Sequence, residues 1–400
     1  MTVRASIVAW TAAAFVCGAM LVVHARVVPA VDAYAGVDFY DYYFAARAWR
    51  AGASPYDSAA NQGLARDARV PSIAGSDYLY PPWFAVALGP LTVLPPRAAF
   101  ALWTLASLLA LGLALHHLRA RRLPWMTAAV LLMPPTLFSL AVGQVNHLLL
   151  ALLACAWAFR ARKPGLAGAL IGVAGAIKLA PLLVLLACPR RHRMAAARGA
   201  AGAFAVALIG GEVLAPGELR RWAFEALPRA TVFSADRAHP VNQGVQALLA
   251  RTFVSNAWTS PLVVLPTHVV GVVAALVAVL VVALVGFRAL SLVARGRGET
   301  WRAWASLVTV SVLASPLAWE GTFALLAMPI LLAARRVDAR LLGGSVALFV
   351  LQRALDGFAH APGAFPLLQR IPIVTSLGLV SGCVLLAAIM ARSKGGSTCS

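Results

Sequence analysis

Four hundred residues with 61% hydrophobic and only 12% charged side chains exclude an ordinary soluble protein, whose charged fraction is about twice as large. Uncharged apolar stretches, several near or above the roughly 18 residues that cross a bilayer as helix, recur along the chain and indicate a polytopic membrane protein. The formal charge of +20 does not indicate a nucleic-acid partner, because Lys and Arg sit in short clusters between apolar stretches, the pattern of topology signals.

In chain order, residues 5–23 follow Arg4 and predict an uncleaved first helix; His24-Ala25-Arg26 is a poor cleavage region for a signal peptide. Residues 24–79 are polar and predict a first external loop. The stretch 80–96 holds Pro81, Pro82, Pro90, Pro95 and Pro96, which break helices, and reads as an interfacial or re-entrant lead-in. Residues 98–118 return inward, 123–142 cross outward and 145–159 come back.

Residues 164–188 lie between basic clusters and must cross an even number of times, as a hairpin with its apex at Ile177-Lys178-Leu179-Ala180-Pro181. A lysine stranded at mid-bilayer would cost about 2.5 to 3.5 kcal/mol, so Lys178 belongs at the outer tip. The short legs predict an indented outer surface there. Residues 199–215, 261–287, 303–319, 322–334, 341–355 and 371–391 complete about twelve spans. The expected fold class is all-α, a polytopic transmembrane helical bundle forming one domain over 1–400, with outer-face loops at 24–79 and 211–258.

The charge distribution agrees with that topology. The clusters at 119–122, 160–163, 190–198, 288–302, 335–340 and 392–394, with Arg4, hold 20 basic residues against only Glu299 and Asp338. The two long polar stretches hold ten basic and ten acidic residues, so the positive-inside rule turns them outward. Both termini are then cytoplasmic and the protein belongs in the plasma membrane. Cys17, Cys155, Cys188, Cys383 and Cys399 have neither metal-ligand nor redox spacing.

Chemistry concentrates in the outer loops. Asp38 and Asp41 stand among Phe39, Tyr40, Tyr42 and Tyr43 near the membrane face, and Asp57 follows in Ser54-Pro55-Tyr56-Asp57. These carboxylates are candidates for acid or base work beside a lipid-borne substrate, or for helix capping, which the turn signature favours at Asp57. Gln144 and Asn146 lie at an outer turn, and Asn242-Gln243, after His239, lies where the second loop approaches the next span. Both amide pairs suit sugar hydroxyls or exposed helix-end backbone. Tyr80-Pro81-Pro82 fixes the start of the lead-in.

The succession from Asp38 through Gly52-x-x-Pro55-Tyr56-Asp57, Tyr80-Pro81-Pro82, Gly143-Gln144-Val145-Asn146, Lys178-Leu179-Ala180-Pro181, Asn242-Gln243 and Ser315-Pro316-Leu317-Ala318-Trp319 resembles glycosyltransferase family 87. These are membrane glycosyltransferases of the C superfamily. The resemblance implies a polyprenyl-phosphate sugar donor, most simply mannose. It also implies inverting transfer at the outer face to a glycolipid or envelope glycan, with the membrane-proximal aspartate, here Asp38, as base. Lys178 is placed to supply positive charge at the leaving phosphate or else to snorkel from a helix end. Asp41, Tyr42, Gln144, Asn146, Asn242 and Gln243 become substrate-binding candidates.

One departure matters. Many relatives carry histidine after the tryptophan of the Ser-Pro motif, where this chain has Glu320-Gly321-Thr322. Glu320 is a second carboxylate candidate or a helix-end residue facing water. No nucleotide-binding Gly-rich loop or Asp-x-Asp pair appears, which favours a lipid-linked donor and implies no cofactor or divalent metal. The competing readings are a transporter or lipid flippase, and a catalytically weak homologue with a scaffold role; against the transporter, the chain shows no inverted repeat and keeps its polar chemistry in loops.

Overall fold

The computed structural model describes residues 35–70, 77–119, 124–334, 336–359 and 370–391. The expected span at 5–23, both termini, Cys17 and Cys399 lie outside them. Among the described residues every regular element is helical, as expected of an all-α chain, with one isolated bridge joining Asn242 to Trp319.

The first polar segment forms α1 (Val37–Arg50) and α2 (Ser58–Asp67); the proline-rich lead-in forms α3 (Pro82–Leu88) and a 3-10 turn, Gly89–Val93. There follow α4 (Pro96–His117), α5 (Pro124–Leu132), α6 (Pro134–Val142), α7 (Asn146–Phe159) and α8 (Pro164–Ile177). Prolines stand in the first turn of α3, α4, α6 and α8, where the missing N–H has no helical partner to lose. The expected crossing at 123–142 is broken between Leu132 and Pro134, and the Thr136 hydroxyl donates to the Val130 carbonyl at 2.8 Å across the break.

The hairpin at 164–188 has unequal legs. Its first is α8; its second is a 3-10 segment, Ala180–Ala187, begun by Pro181. α9 (Arg190–Leu214) packs on α8 through small residues. A Cβ at Gly168 would overlap the backbone of Ala196, one at Gly172 that of Ala200, and one at Gly199 that of Gly165. The first two pairs ascend together, so α8 and α9 run parallel, each starting from a basic cluster. At 1.5 Å per residue, α8 ends roughly 14 Å short of the end of α9, and Lys178 therefore lies in an indentation. At the far end of α9 the Leu214 carbonyl accepts from the Trp49 indole at 3.1 Å. The α1 lobe thus sits opposite the basic end, next to α3, whose Trp83 donates to the Ala176 carbonyl of α8 at 2.9 Å.

The second polar segment includes short helices at Glu218–Arg221 and Leu227–Thr231 and ends in α10 (Val245–Phe253). α11 (Thr267–Ala294) descends, α12 (Thr300–Leu313) ascends, and a 3-10 segment, Glu320–Leu326, returns into α13 (Ala327–Ala333). Every residue of α12, of that segment and of α13 is buried, so this hairpin is the centre of the bundle. α14 (Ala339–Ala359) and α15 (Leu377–Met390) complete the fold.

Three described helices, α4, α9 and α11, are long and apolar enough to cross a bilayer alone. They expose leucine, valine and isoleucine, among them Leu105, Leu109, Val206, Ile209, Leu276 and Leu284, which is the surface of an integral-membrane protein. The remaining apolar helices are shorter, and two of them, Asn146–Phe159 and Pro164–Ile177, coincide with the expected crossing at 145–159 and the first leg of the hairpin at 164–188.

Candidate active site

Two positive-φ glycines and a close backbone approach bring Asp38 to its place. Gly36 (φ 74°) precedes α1 and its N–H donates to the Ala141 carbonyl at 2.8 Å, while Gly143 (φ 75°) ends α6 and its carbonyl accepts from the Trp103 indole at 2.8 Å. A Cβ on Gly143 would lie 2.6 Å from that of Phe39, so only glycine lets the turn after α6 lie against the first turn of α1. Phe39 itself is buried against Phe100 and Trp103, ring centroids 5.6 and 5.8 Å away. The first turn of α1 is thereby fixed over Gln144.

Asp38, Asp41, Tyr42, Tyr80, Gln144 and Lys178 line one cavity of about 440 Å³. Its floor is backed by a directed chain of hydrogen bonds, in which Asn146 is buried and does not itself line the cavity. The Lys178 ammonium donates to Asn146 Oδ1 at 3.0 Å, Asn146 Nδ2 donates to Gln144 Oε1, and the Gln144 side chain bonds Asp38. Burial pushes the Asp38 carboxyl up to about 6, against the opposing pull of the Gln144 hydrogen bond and the Lys178 charge. Lys178 is free to reach this floor because α8 stops before it, its own backbone being extended (φ −136°, ψ 129°).

The Tyr42 hydroxyl donates to that of Tyr80 at 3.0 Å, and the Lys178 Nζ lies 5.9 Å from the Tyr80 ring centroid. Accepting from Tyr42 leaves the Tyr80 proton available to a ligand. Tyr80, which the proline string marked only as structural, is thus a cavity residue. Asp41, one helical turn beyond Asp38, puts a second carboxylate on the same wall. Among the described residues no three His, Cys, Asp or Glu side chains are grouped to hold a metal ion.

Other candidates fall elsewhere. Asp57 caps α2, accepting from the Ala60 N–H at 3.0 Å. Asn242 and Gln243 are buried and do not line the cavity. Gln243 donates to the Thr375 carbonyl at 2.9 Å and accepts from the Gly378 N–H at 3.0 Å, and the backbone pairs Gln243 N–H with Ala318 C=O and Glu320 N–H with Val241 C=O, both at 2.8 Å. The backbone here stitches the second loop to the Ser315 to Trp319 turn, and the Gln243 side chain ties it to the start of α15. Glu320 does not face water: it is 4% exposed and pairs with Arg353 of α14 at 3.3 Å.

Sequence reasoning passed over Asp77 and Trp222, and named Thr322 only within the departure after Trp319, though all three line the cavity; it also passed over the buried Arg237 and Arg251, which hold the second loop by its carbonyls. Arg237 donates to Ala230 and Val232 at 2.8 and 2.6 Å, and Arg251 to Ala238 and His239 at 3.0 and 2.7 Å. Nothing in their sequence neighbourhood distinguishes these arginines from solvated loop charge.

The family model for glycosyltransferase family 87 matches residues 78–316. The chain belongs to this family. As a family 87 member it is also 27% identical, over 289 residues, to a Mycobacterium tuberculosis protein named polyprenol-phosphate-mannose-dependent alpha-(1-2)-phosphatidylinositol pentamannoside mannosyltransferase. The alignment covers 66% of this chain and 61% of that relative. The family match begins after Asp38 and spans Gln144, Asn146 and Lys178, so in this family 87 chain the placement of Asp38 rests on the geometry around Gly143.

Proposed function

We propose that this protein is an inverting membrane glycosyltransferase that moves a sugar, mannose in the simplest case, from a polyprenyl phosphate to a glycolipid or envelope glycan at the outer face of the plasma membrane. One observation carries the reading: Asp38 and Lys178, far apart in the chain, meet in one cavity. The named activity of the mycobacterial relative supports the donor class.

The acceptor hydroxyl oxygen attacks the anomeric carbon from the face opposite the phosphate. Its proton passes to the Asp38 carboxylate, and the bond from the anomeric carbon to the phosphate oxygen breaks with its electrons going to the phosphate. A base at about 6 is mostly ionised at neutral pH and more basic than an ordinary carboxylate, which suits general-base work. Lys178 and the Tyr80 hydroxyl face the charge that develops on the departing phosphate. Asp41 is placed to hold acceptor hydroxyls. Gln144 and Asn146, whose polar groups are engaged in the floor, set the separation of base and cation.

The test is transfer by purified protein from polyprenyl-phosphate-mannose to a panel of glycolipids. Turnover in the wild type that falls by about a thousandfold or more in Asp38→Asn supports the reading, a general base contributing about 10²- to 10⁴-fold. An Asp38→Asn protein as active as wild type rejects Asp38 as base, and substrate flux into liposomes without sugar transfer makes the protein a transporter.

A further inference from the structure

Thr322 is a buried residue, 5% exposed, that lines the cavity, and its hydroxyl has no hydrogen-bond partner among the described residues. An unsatisfied buried hydroxyl is unfavourable unless a ligand or water completes it. Its place relative to the reacting groups is set by two contacts. Thr322 N–H donates to the Trp319 carbonyl at 2.7 Å, which ties the two residues into one turn at the start of the 3-10 segment. Trp319 and Thr322 both line the cavity. Between them, Gly321 meets the Gln144 side chain so closely that any Cβ would overlap its Oε1.

Gln144 is the middle of the floor, between Asp38 at one end and Asn146 with Lys178 at the other. In a single displacement the pyranose being transferred lies between the base that takes the acceptor proton and the cation that meets the leaving phosphate. The segment against Gln144 is then the wall beside that ring. Trp319 offers it an aromatic surface, backed from behind by His239 with ring centroids 5.8 Å apart; His239 in turn meets Trp258 edge-on at 5.1 Å. An aromatic wall with a convergent hydroxyl is suited to a pyranose, whose faces are C–H and whose rim is hydroxyl.

Resting on the glycosyl-transfer reading above, we infer that Thr322 and Trp319 form the subsite for the donor's sugar ring, and that the Thr322 hydroxyl is a specificity-determining contact to one of its hydroxyls. The lipid phosphate is held separately by the Lys178 end, and the acceptor by the Asp38 and Asp41 wall.

The experiment measures binding of polyprenyl-phosphate-mannose and of polyprenyl phosphate without sugar to purified wild type, Thr322→Val and Thr322→Ser, with acceptor KM taken in parallel. Because the hydroxyl bonds no described residue, the isosteric valine leaves folding intact, which the apparent Tm checks. The expected result is roughly a tenfold loss of affinity for the mannosyl lipid in Thr322→Val, unchanged affinity for the bare lipid phosphate, and near-wild-type values in Thr322→Ser. Equal losses for both lipids, no loss for either, or a rise in acceptor KM alone overturns the subsite. Failure of wild type to bind either lipid sinks the transfer reading itself, whereas a wild type that binds and transfers beside an unaffected Thr322→Val sinks only the role of Thr322.

Discussion

Lys178 donates to Asn146 Oδ1 at 3.0 Å, and through that one bond the ammonium at the tip of a short hairpin is held at the end of the floor that begins at Asp38. The nearby Tyr80 ring adds only a weak attraction at 5.9 Å. Replacing Asn146 by leucine leaves the charge but removes its anchor. A hydrogen bond to a charged group contributes about 1.5 to 3 kcal/mol, so donor KM should rise by about ten- to a hundredfold. Steady-state kinetics at fixed acceptor concentration checks this, and Lys178→Ala should raise donor KM further.

The pH dependence follows from Asp38. Its carboxyl is held at about 6 because burial outweighs the Gln144 hydrogen bond and the Lys178 charge. The unprotonated form is the base, so kcat/KM should rise with pH through that region and fall again near 8, to which burial lowers the Lys178 ammonium against the pull of Asp38. Gln144→Met removes an interaction that favours the carboxylate, and the acid limb should move to higher pH. Lys178→Ala moves the limb in the same direction while also raising donor KM. A pH profile of kcat/KM for the three proteins separates these effects, and an unmoved limb in Gln144→Met would mean that the amide does not touch the base.

Asp38 and Lys178 are legible in the sequence because each is a charge at a marked place, one in the polar stretch that follows an expected span and one at a helix-breaking apex between two basic clusters. Gln144 and Asn146 are legible as polar residues at a turn, but not as neighbours of those charges, because their partners are chosen by the docking of α1 and the hairpin onto the turn. The surroundings of Glu320 are hidden for the same reason: Arg353, which pairs with it, arrives from α14. The helical class follows from composition, whereas the subdivision of spans does not, since the 3-10 geometry of 180–187 and 320–326 leaves no mark on hydropathy. Thr322 is marked in the sequence only as part of the stretch where relatives carry histidine; its hydroxyl becomes meaningful only when it is found buried, unpaired among the described residues and lining a cavity.

Gly143 is the structural condition for the site. Its φ of 75° and the 2.6 Å separation that a Cβ there would have from that of Phe39 both exclude a side chain. In Gly143→Ala the left-handed conformation alone costs about 1 to 2 kcal/mol, and the steric overlap must also push α1 away from Gln144. The expected outcome is a lower apparent Tm together with a fall in kcat that exceeds the loss of folded protein. Gly202→Ala, on α9 with open space where its Cβ would go, is the control: it should leave kcat unchanged and hold or raise the apparent Tm.

The buried pair of Glu320 and Arg353 separates a structural carboxylate from a chemical one. Glu320 is buried beside the active-site turn but outside the cavity lining, and Arg353 also lies over the Phe138 ring, 5.5 Å from its centroid. Removing one partner of a buried pair leaves an uncompensated charge, at a cost of about 3 to 5 kcal/mol, whereas replacing both by apolar side chains of similar volume is often neutral. Glu320→Leu should therefore lower the apparent Tm strongly, and Glu320→Leu combined with Arg353→Met should restore most of it. The double variant should also keep the acid limb of kcat/KM in the region of 6, since that limb belongs to Asp38. A double variant that is well folded yet inactive would instead give Glu320 a part in the chemistry.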